Sequence, residues 1–148
     1  MNKKRNFLSC YDKAIGLLAG AEHCTRALER KLLLRGYGED EVSEALARLT
    51  KENLLNDSRF AGMWIEFRQK RRDEGGRRLT EGLQRRGVDR LTARAAVKAA
   101  SCTDEYRAAF FRAKEKILAR ANIDKNALLS ILLRKGYSLS EIRNYDEQ

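Results

Sequence analysis

Apolar positions recur with helical spacing along the whole chain, and no stretch alternates with period two as a strand would. Tyr11, Ala14, Ile15 and Leu18 fall on one helical face. So do Phe60, Met63, Trp64 and Phe67, and later Tyr106, Ala109, Phe110, Ala113, Ile117 and Leu118. After each of these stretches comes a shorter one with a shared ending. Residues 28–36 read LERKLLLRG, residues 79–87 LTEGLQRRG and residues 128–136 LLSILLRKG. In each, leucines stand eight and four residues before a glycine, and a basic residue directly precedes it. The glycines are 51 and 49 residues apart. Leucines at i and i+4 share a helix face and pack inward. The basic residue complements the helix dipole. Gly36, Gly87 and Gly136 are then expected to take the left-handed conformation that ends a helix. Behind them Tyr37, Val88 and Tyr137 can fold back onto the last turn.

The segment behind each turn repeats too. Gly38, Asp89 and Ser138 are suited to cap a further helix, and Ser138 with Glu141 has capping-box spacing. That helix carries Val42, Leu46 and Leu49 in the first copy, Ala93, Ala96 and Val97 in the second, and Ile142 and Tyr145 in the third. The pattern predicts an all-α fold of three tandem three-helix repeats, about nine helices in all, over residues 1–53, 54–101 and 102–148. Modules that touch mainly their neighbours make an elongated, curved molecule. Connections fall at Gly20, 53–57, Gly75 and Gly76, 101–103 and 122–124, with Asp57 as the N-cap of the second long helix.

At 148 residues with 43% apolar side chains and no proline, the chain can bury a core of its own. Lys3, Lys4 and Arg5 precede an apolar run over residues 14–21, but the run is eight residues long, contains two glycines and is continuous with an amphipathic helix. No stretch reaches the ~20 apolar residues of a membrane span. Cys10, Cys24 and Cys102 are an odd, widely spaced set, which points to a reducing cytoplasm rather than a disulfide framework. His23 is the sole histidine and no CxxC occurs, so no metal site is expected.

Charge sharpens the picture. The chain carries 31 basic and 21 acidic residues, a net of +10. Residues 59–98 hold 12 bases against 5 acids, so the second repeat carries +7 of that excess. Arg68, Lys70, Arg71, Arg72, Arg77, Arg78, Arg85 and Arg86 form its densest part, with Arg90, Arg94 and Lys98 behind. Ten of the twelve bases are arginine, the side chain suited to bidentate phosphate contacts. A solvated face with i,i+4 pairs to Glu66, Asp73 and Glu81 is the alternative, but five acids cannot neutralise twelve bases. The excess points to a polyanion partner.

No catalytic constellation and no cofactor motif is visible. Gly75 and Gly76 lie between helices rather than after a strand, so they read as a hinge, one that could present helix amides to an anion beside Arg77 and Arg78. Phe60, Trp64 and Phe67 lie at core spacing. Cys24 stands near a helix start, which can lower a thiol pKa.

Residues 55–61, LNDSRFA, resemble the L-[DN]-D-x-R-[FY]-[AV] signature of the RecX regulatory family. The leucine–basic–glycine–apolar units are similar to that family's tandem three-helix repeats. Glu22-His23, Arg26, Leu28, Lys31-Leu32 and Gly36-Tyr37 resemble its first-repeat pattern, and Gly76, Leu79, Leu83 and Gly87-Val88 its second. Ala21, Cys24 and Gly82 depart from the pattern. Cys24 stands in place of a serine cap, and Gly82 in place of a glutamate. The resemblance makes Leu55, Asp57, Arg59, Phe60, Gly36, Gly87 and Gly136 the structural motif, and the arginine cluster the contact surface. It implies a non-enzymatic, monomeric, negative modulator of RecA. Such a protein lies in the groove of the RecA filament on single-stranded DNA, and suppresses ATP hydrolysis, strand exchange and co-protease activity. DNA contact, single-stranded and also double-stranded, would be indifferent to sequence. The rivals are a helix–turn–helix regulator acting directly on DNA and a nucleic-acid enzyme. Glu39-Asp40-Glu41 opens a candidate recognition helix with the wrong charge for the first. No carboxylate cluster or metal set supports the second.

Overall fold

The computed structural model describes residues 8–120 and 122–148; Lys3, Lys4 and Arg5 lie outside them. Among the described residues there are nine helices and no strand. The first triplet is α1 (Cys10–Gly20), α2 (Thr25–Leu34) and α3 (Glu39–Lys51). The second is α4 (Asp57–Arg72), α5 (Gly76–Arg85) and α6 (Arg90–Ser101). The third is α7 (Asp104–Leu118), α8 (Lys125–Arg134) and α9 (Leu139–Asp146). No described helix is long and apolar enough to cross a membrane.

The repeated turn forms as its spacing requires. Gly36, Gly87 and Gly136 have φ of 90°, 102° and 102°. The amide behind each glycine donates back to the second repeated leucine: Tyr37 to Leu32, Val88 to Leu83 and Tyr137 to Leu132, at 3.4, 3.1 and 3.3 Å. This 6→1 bond satisfies a helix-end carbonyl and locks the reversal. Leu28, Leu32, Leu79, Leu83 and Leu132 are buried, and Leu128 is half-buried. Gly38, Asp89 and Ser138 are the N-caps of α3, α6 and α9.

Three repeats make two cores. Leu28, Leu32, Val42, Leu46, Leu49 and Leu55 belong to a cluster confined to the first repeat and the loop after it. The second and third repeats share one cluster, running from Ala61, Ile65, Leu79 and Leu83 through Tyr106 and Phe110 to Leu132, Tyr137 and Ile142. The accessible surface is 10256 Å², against roughly 7,700 Å² for a compact monomer of this mass. That excess fits an extended arrangement of modules.

The core face of α4 differs from the expected one. Ala61, Ile65 and Gln69 are buried, whereas Met63 and Phe67 are 53% and 52% exposed and Phe60 and Trp64 half-buried. Helical spacing alone assigns the bulkiest apolar set inward. Here the close approach of helices selects a small residue, Ala61, and a glutamine whose amide has a backbone partner. In α7, Leu118 is likewise half out in solvent, although Ile117 beside it is buried.

Candidate nucleic-acid interface

The residues of the 55–61 signature form the joint between the first two repeats. Leu55 is buried in the first core. Asn56, not Asp57, caps α4, its side-chain oxygen accepting from the Arg59 amide at 3.0 Å. Asp57 takes the first helical position and turns to the preceding repeat. Its Oδ1 accepts from the Thr25 amide at 2.7 Å and the Thr25 hydroxyl at 2.9 Å. The carboxylate therefore caps a helix, but α2 rather than its own. The cause lies at Cys24, the N-cap of α2, which makes no side-chain cap bond and leaves an orphan amide for another group. The Cys24 thiol donates instead to the Arg86 carbonyl at 3.1 Å, and burial pushes its pKa up rather than down. Arg59 donates to Glu22 at 2.8 Å and to the carbonyls of Asn53 and Leu54 at 3.0 and 3.2 Å. Phe60 packs against the second core.

The loop of Asp73, Glu74 and Gly75 forms the other joint. The Gly75 amide donates to the Lys135 carbonyl at 2.9 Å, and the Arg77 amide to the Gly136 carbonyl at 3.0 Å. The Gly76 amide donates to the Tyr106 hydroxyl at 2.8 Å. The amides expected to greet an anion are thus filled from within. A Cβ on Gly75 would stand 2.4 Å from the Tyr137 nitrogen, so this pair of glycines is a docking point and not a hinge.

Asp73, left-handed at φ 51° and 1% exposed, binds Arg112 at 2.9 Å and Lys116 at 2.5 Å. Its carbonyl accepts from the Tyr137 hydroxyl at 3.0 Å. Glu74 is gripped by two nitrogens of Arg68, at 2.9 and 2.7 Å, and the Gln69 side-chain amide donates to its carbonyl. Tyr106 donates to Glu141 at 2.7 Å. Burial pushes the hydroxyl pKa values of Tyr106 and Tyr137 far above the ordinary tyrosine range. The Glu141 bond adds to the first, and the Asp73 charge to the second. Sequence reasoning missed this joint because Asp73 and Glu74 resemble surface acids. The available signal was Gln69, a polar residue in helical phase with Ala61 and Ile65.

This arrangement leaves the arginines of the second repeat short of acids. Glu74 is taken by Arg68, and Asp73 by cations from α7. Asp89 caps α6 through the Thr92 amide at 3.0 Å. Glu66 pairs with Lys70 at 2.8 Å and Glu81 with Arg77 at 3.1 Å, both in the open. Lys70 holds the Glu66 carboxyl below its usual range, yet exposed pairs of this kind contribute little and yield readily to a phosphate. Among the described residues Arg71, Arg72, Arg78, Arg85 and Arg86 on α4, α5 and the turn after it, with Arg90, Arg94 and Lys98 on α6, form no ion pair, and all are exposed. Arg90, Arg94 and Lys98 stand at i, i+4 and i+8 on one stripe, a spacing at which like charges repel. Of the eight residues expected at the contact surface, Arg68 is committed to structure. Lys70 and Arg77 are lightly held, and the other five face solvent without a carboxylate.

No group of three or more described His, Cys, Asp or Glu side chains could hold a metal. His23 is buried, bonded through Nδ1 to the Ala21 carbonyl and through Nε2 to Lys31, each at 2.7 Å.

Comparison with known proteins gives the same frame. The family model described as RecX, first three-helix domain, matches residues 10–49, and that of the RecX second three-helix domain matches residues 56–97. A regulatory protein RecX of Chlorobaculum tepidum is 29% identical, over 91% of this chain and 84% of its own length. One of Clostridium perfringens is 31% identical, over 97% of this chain and 67% of its own length. The crystal structure of RecX from Lactobacillus salivarius superposes with a TM-score of 0.81 at 22% identity, covering 93% of this chain and 92% of that one. A second crystal structure of a regulatory protein RecX gives 0.78 at 16% identity, covering 94% of this chain and 72% of that one. Two matched domains in order, on a fold shared along nearly the whole length, place this chain in the RecX family of regulatory proteins.

Proposed function

We propose that this protein is a negative modulator of the RecA recombinase, binding the RecA filament on single-stranded DNA and lowering its ATPase, strand-exchange and co-protease activities. The observation that carries the reading is the distribution of acids in the second repeat. All five are engaged by caps or ion pairs, and eight exposed cations are left for a polyanion. Beside membership of the family, an extended row of helical modules suits a groove lined by acidic protein and phosphate. The protein acts by occupancy and turns over nothing itself. The test is titration of the purified chain into a RecA ATPase assay on single-stranded DNA, at low and high salt. The expected result is inhibition at or below one protein per RecA, weakening as salt rises. An unchanged RecA rate, with binding to bare DNA intact, overturns the reading.

One observation favours a second reading, a regulator acting on duplex DNA through α6. The Arg90, Arg94 and Lys98 stripe lies on the helix after the tight turn, where a helix–turn–helix protein carries its base contacts. That reading requires preference among duplex sequences. The first requires none.

A further inference from the structure

Trp64 and Phe67 lie off the buried face of α4. At 100° per residue, Phe67 stands about 200° around the helix from Ile65, on the side away from the core. Its ring is half in solvent, and the Arg71 guanidinium lies 4.5 Å from its centroid. Trp64, one turn earlier, leans onto α5 at Gly82, where a Cβ would stand 2.4 Å from the indole Cη2. Gly82 thus departs from the family pattern at a position where any side chain would meet the indole. Arg68 and Arg86 stand over the same indole at 5.4 and 5.6 Å. On α5 the turn of the helix puts Arg78 and Arg85 on the flank of Gly82, away from the buried Leu79 and Leu83.

We propose that this outward face of α4 and α5 is a stacking platform for unpaired nucleobases, with Phe67 and Trp64 as the ring surfaces and the surrounding arginines as the backbone clamp, so that the second repeat selects single-stranded over duplex nucleic acid. The inference rests on the polyanion reading above and adds to it a structural class of ligand. The occupant is chosen by charge and shape together. Among the described residues Arg71, Arg78, Arg85 and Arg86 have no acid partner, which suits a polyanion. Two rings partly open to solvent demand a flat apolar surface. A single strand offers both at once, because every base has a free face and every nucleotide a phosphate. A duplex hides the faces inside its stack. Guanidinium planes also stack on bases, so an arginine already over each ring extends the platform rather than blocking it.

Trp64 is the sole tryptophan, so intrinsic fluorescence reads the site directly. The full chain is titrated with oligo(dT) and with a duplex of equal length, at two salt concentrations. Oligo(dT) is expected to quench the indole strongly and the duplex weakly. Phe67→Ala, at an exposed position, is expected to keep the helical circular dichroism and melting temperature. It should weaken oligo(dT) binding roughly 5- to 150-fold, leaving duplex affinity and the salt slope unchanged because no phosphate contact is lost. Phe67→Leu, apolar but not flat, should behave like Phe67→Ala, and Phe67→Trp like the parent. Equal losses for single strand and duplex overturn the proposal. So does a Phe67→Ala protein that binds oligo(dT) normally but no longer inhibits RecA, since that makes the face a protein-docking surface. If charge reversal of Arg71 and Arg78 leaves all DNA binding intact, the polyanion reading itself has failed. If reversal abolishes binding but Phe67→Ala leaves the single-strand preference intact, the stacking inference alone has failed.

Discussion

Thr25, the first residue of α2, gives both its amide and its hydroxyl to the carboxylate of Asp57, the first residue of α4. Two consecutive repeats are thereby joined through the start of one helix and the start of another. Asp57→Ala removes both bonds and leaves a part-buried amide unpaired, so it is expected to cost about 1–3 kcal/mol in urea unfolding. Thr25→Ala should be non-additive with it by roughly 0.5 kcal/mol or more in a double-mutant cycle. Asn56→Ala should cost about 0.5–2 kcal/mol and show no coupling to Thr25. Full additivity of Asp57→Ala and Thr25→Ala would refute the bridge.

The three turn glycines are equivalent in φ but not in surroundings. An added Cβ at Gly36 meets open space, whereas at Gly136 it meets the Arg78 amide nitrogen at 2.7 Å. Gly36→Ala should therefore cost the left-handed strain alone, about 1–2 kcal/mol, and Gly136→Ala distinctly more. Equal losses of stability would show that the turn of the third repeat is not wedged against α5.

Charge reversal of Arg71, Arg72, Arg77 and Arg78 should weaken DNA binding far more than reversal of Arg30, Lys51, Arg120 and Lys125, four exposed cations outside the second repeat. Arg112 and Lys116 are unsuitable controls because they hold the buried Asp73. Fluorescence anisotropy on a labelled oligonucleotide decides it. Equal effects would show that the second repeat does not lead.

Stability should fall steeply in alkali. The folded-state pKa values of Tyr106 and Tyr137 are raised, so the unfolded chain loses these protons first as pH climbs past 10. Their contribution is complete below pH 10 and is lost above it, at about 1.4 kcal/mol per pH unit for each tyrosine. Lys135 has the opposite sign, since burial lowers its pKa and stability recovers as it deprotonates, but that recovery is over by its unfolded value of 10.5. Urea unfolding between about pH 10.5 and 12 should show the loss, and Tyr137→Phe should lower the slope by about 1.4 kcal/mol per pH unit.

The helices, their turns and the repeat were legible because their signals are local. A leucine four residues before a glycine and an apolar residue after it define a 6→1 turn without help from the rest of the chain. Asp57 was half legible: its suitability as a cap was visible, its target was not, because Thr25 is 32 residues away and the vacancy arises from Cys24. The α4 face was misread because periodicity cannot rank Ala61, Ile65 and Gln69 against Phe60, Met63 and Phe67. That choice is made by how closely neighbouring helices approach. Gly75 and Gly76 look flexible by composition, yet both are packed at the second joint, Gly75 against the Gly136 turn and Gly76 against Val97 and Tyr106.

The two joints are unlike in kind. The first is made of hydrogen bonds between polar groups around a small plug at Cys24; the second adds to its hydrogen bonds and ion pairs a continuous apolar packing from α4–α6 into α7–α9. Hydrogen bonds can be traded for water at modest net loss, whereas a close-packed interior resists shear. Flexion is therefore expected at the first joint before the second. The two repeats that share a core make a palm of six helices with one three-helix finger, and on the filament proposed above the palm would set the footprint while the finger follows the local pitch.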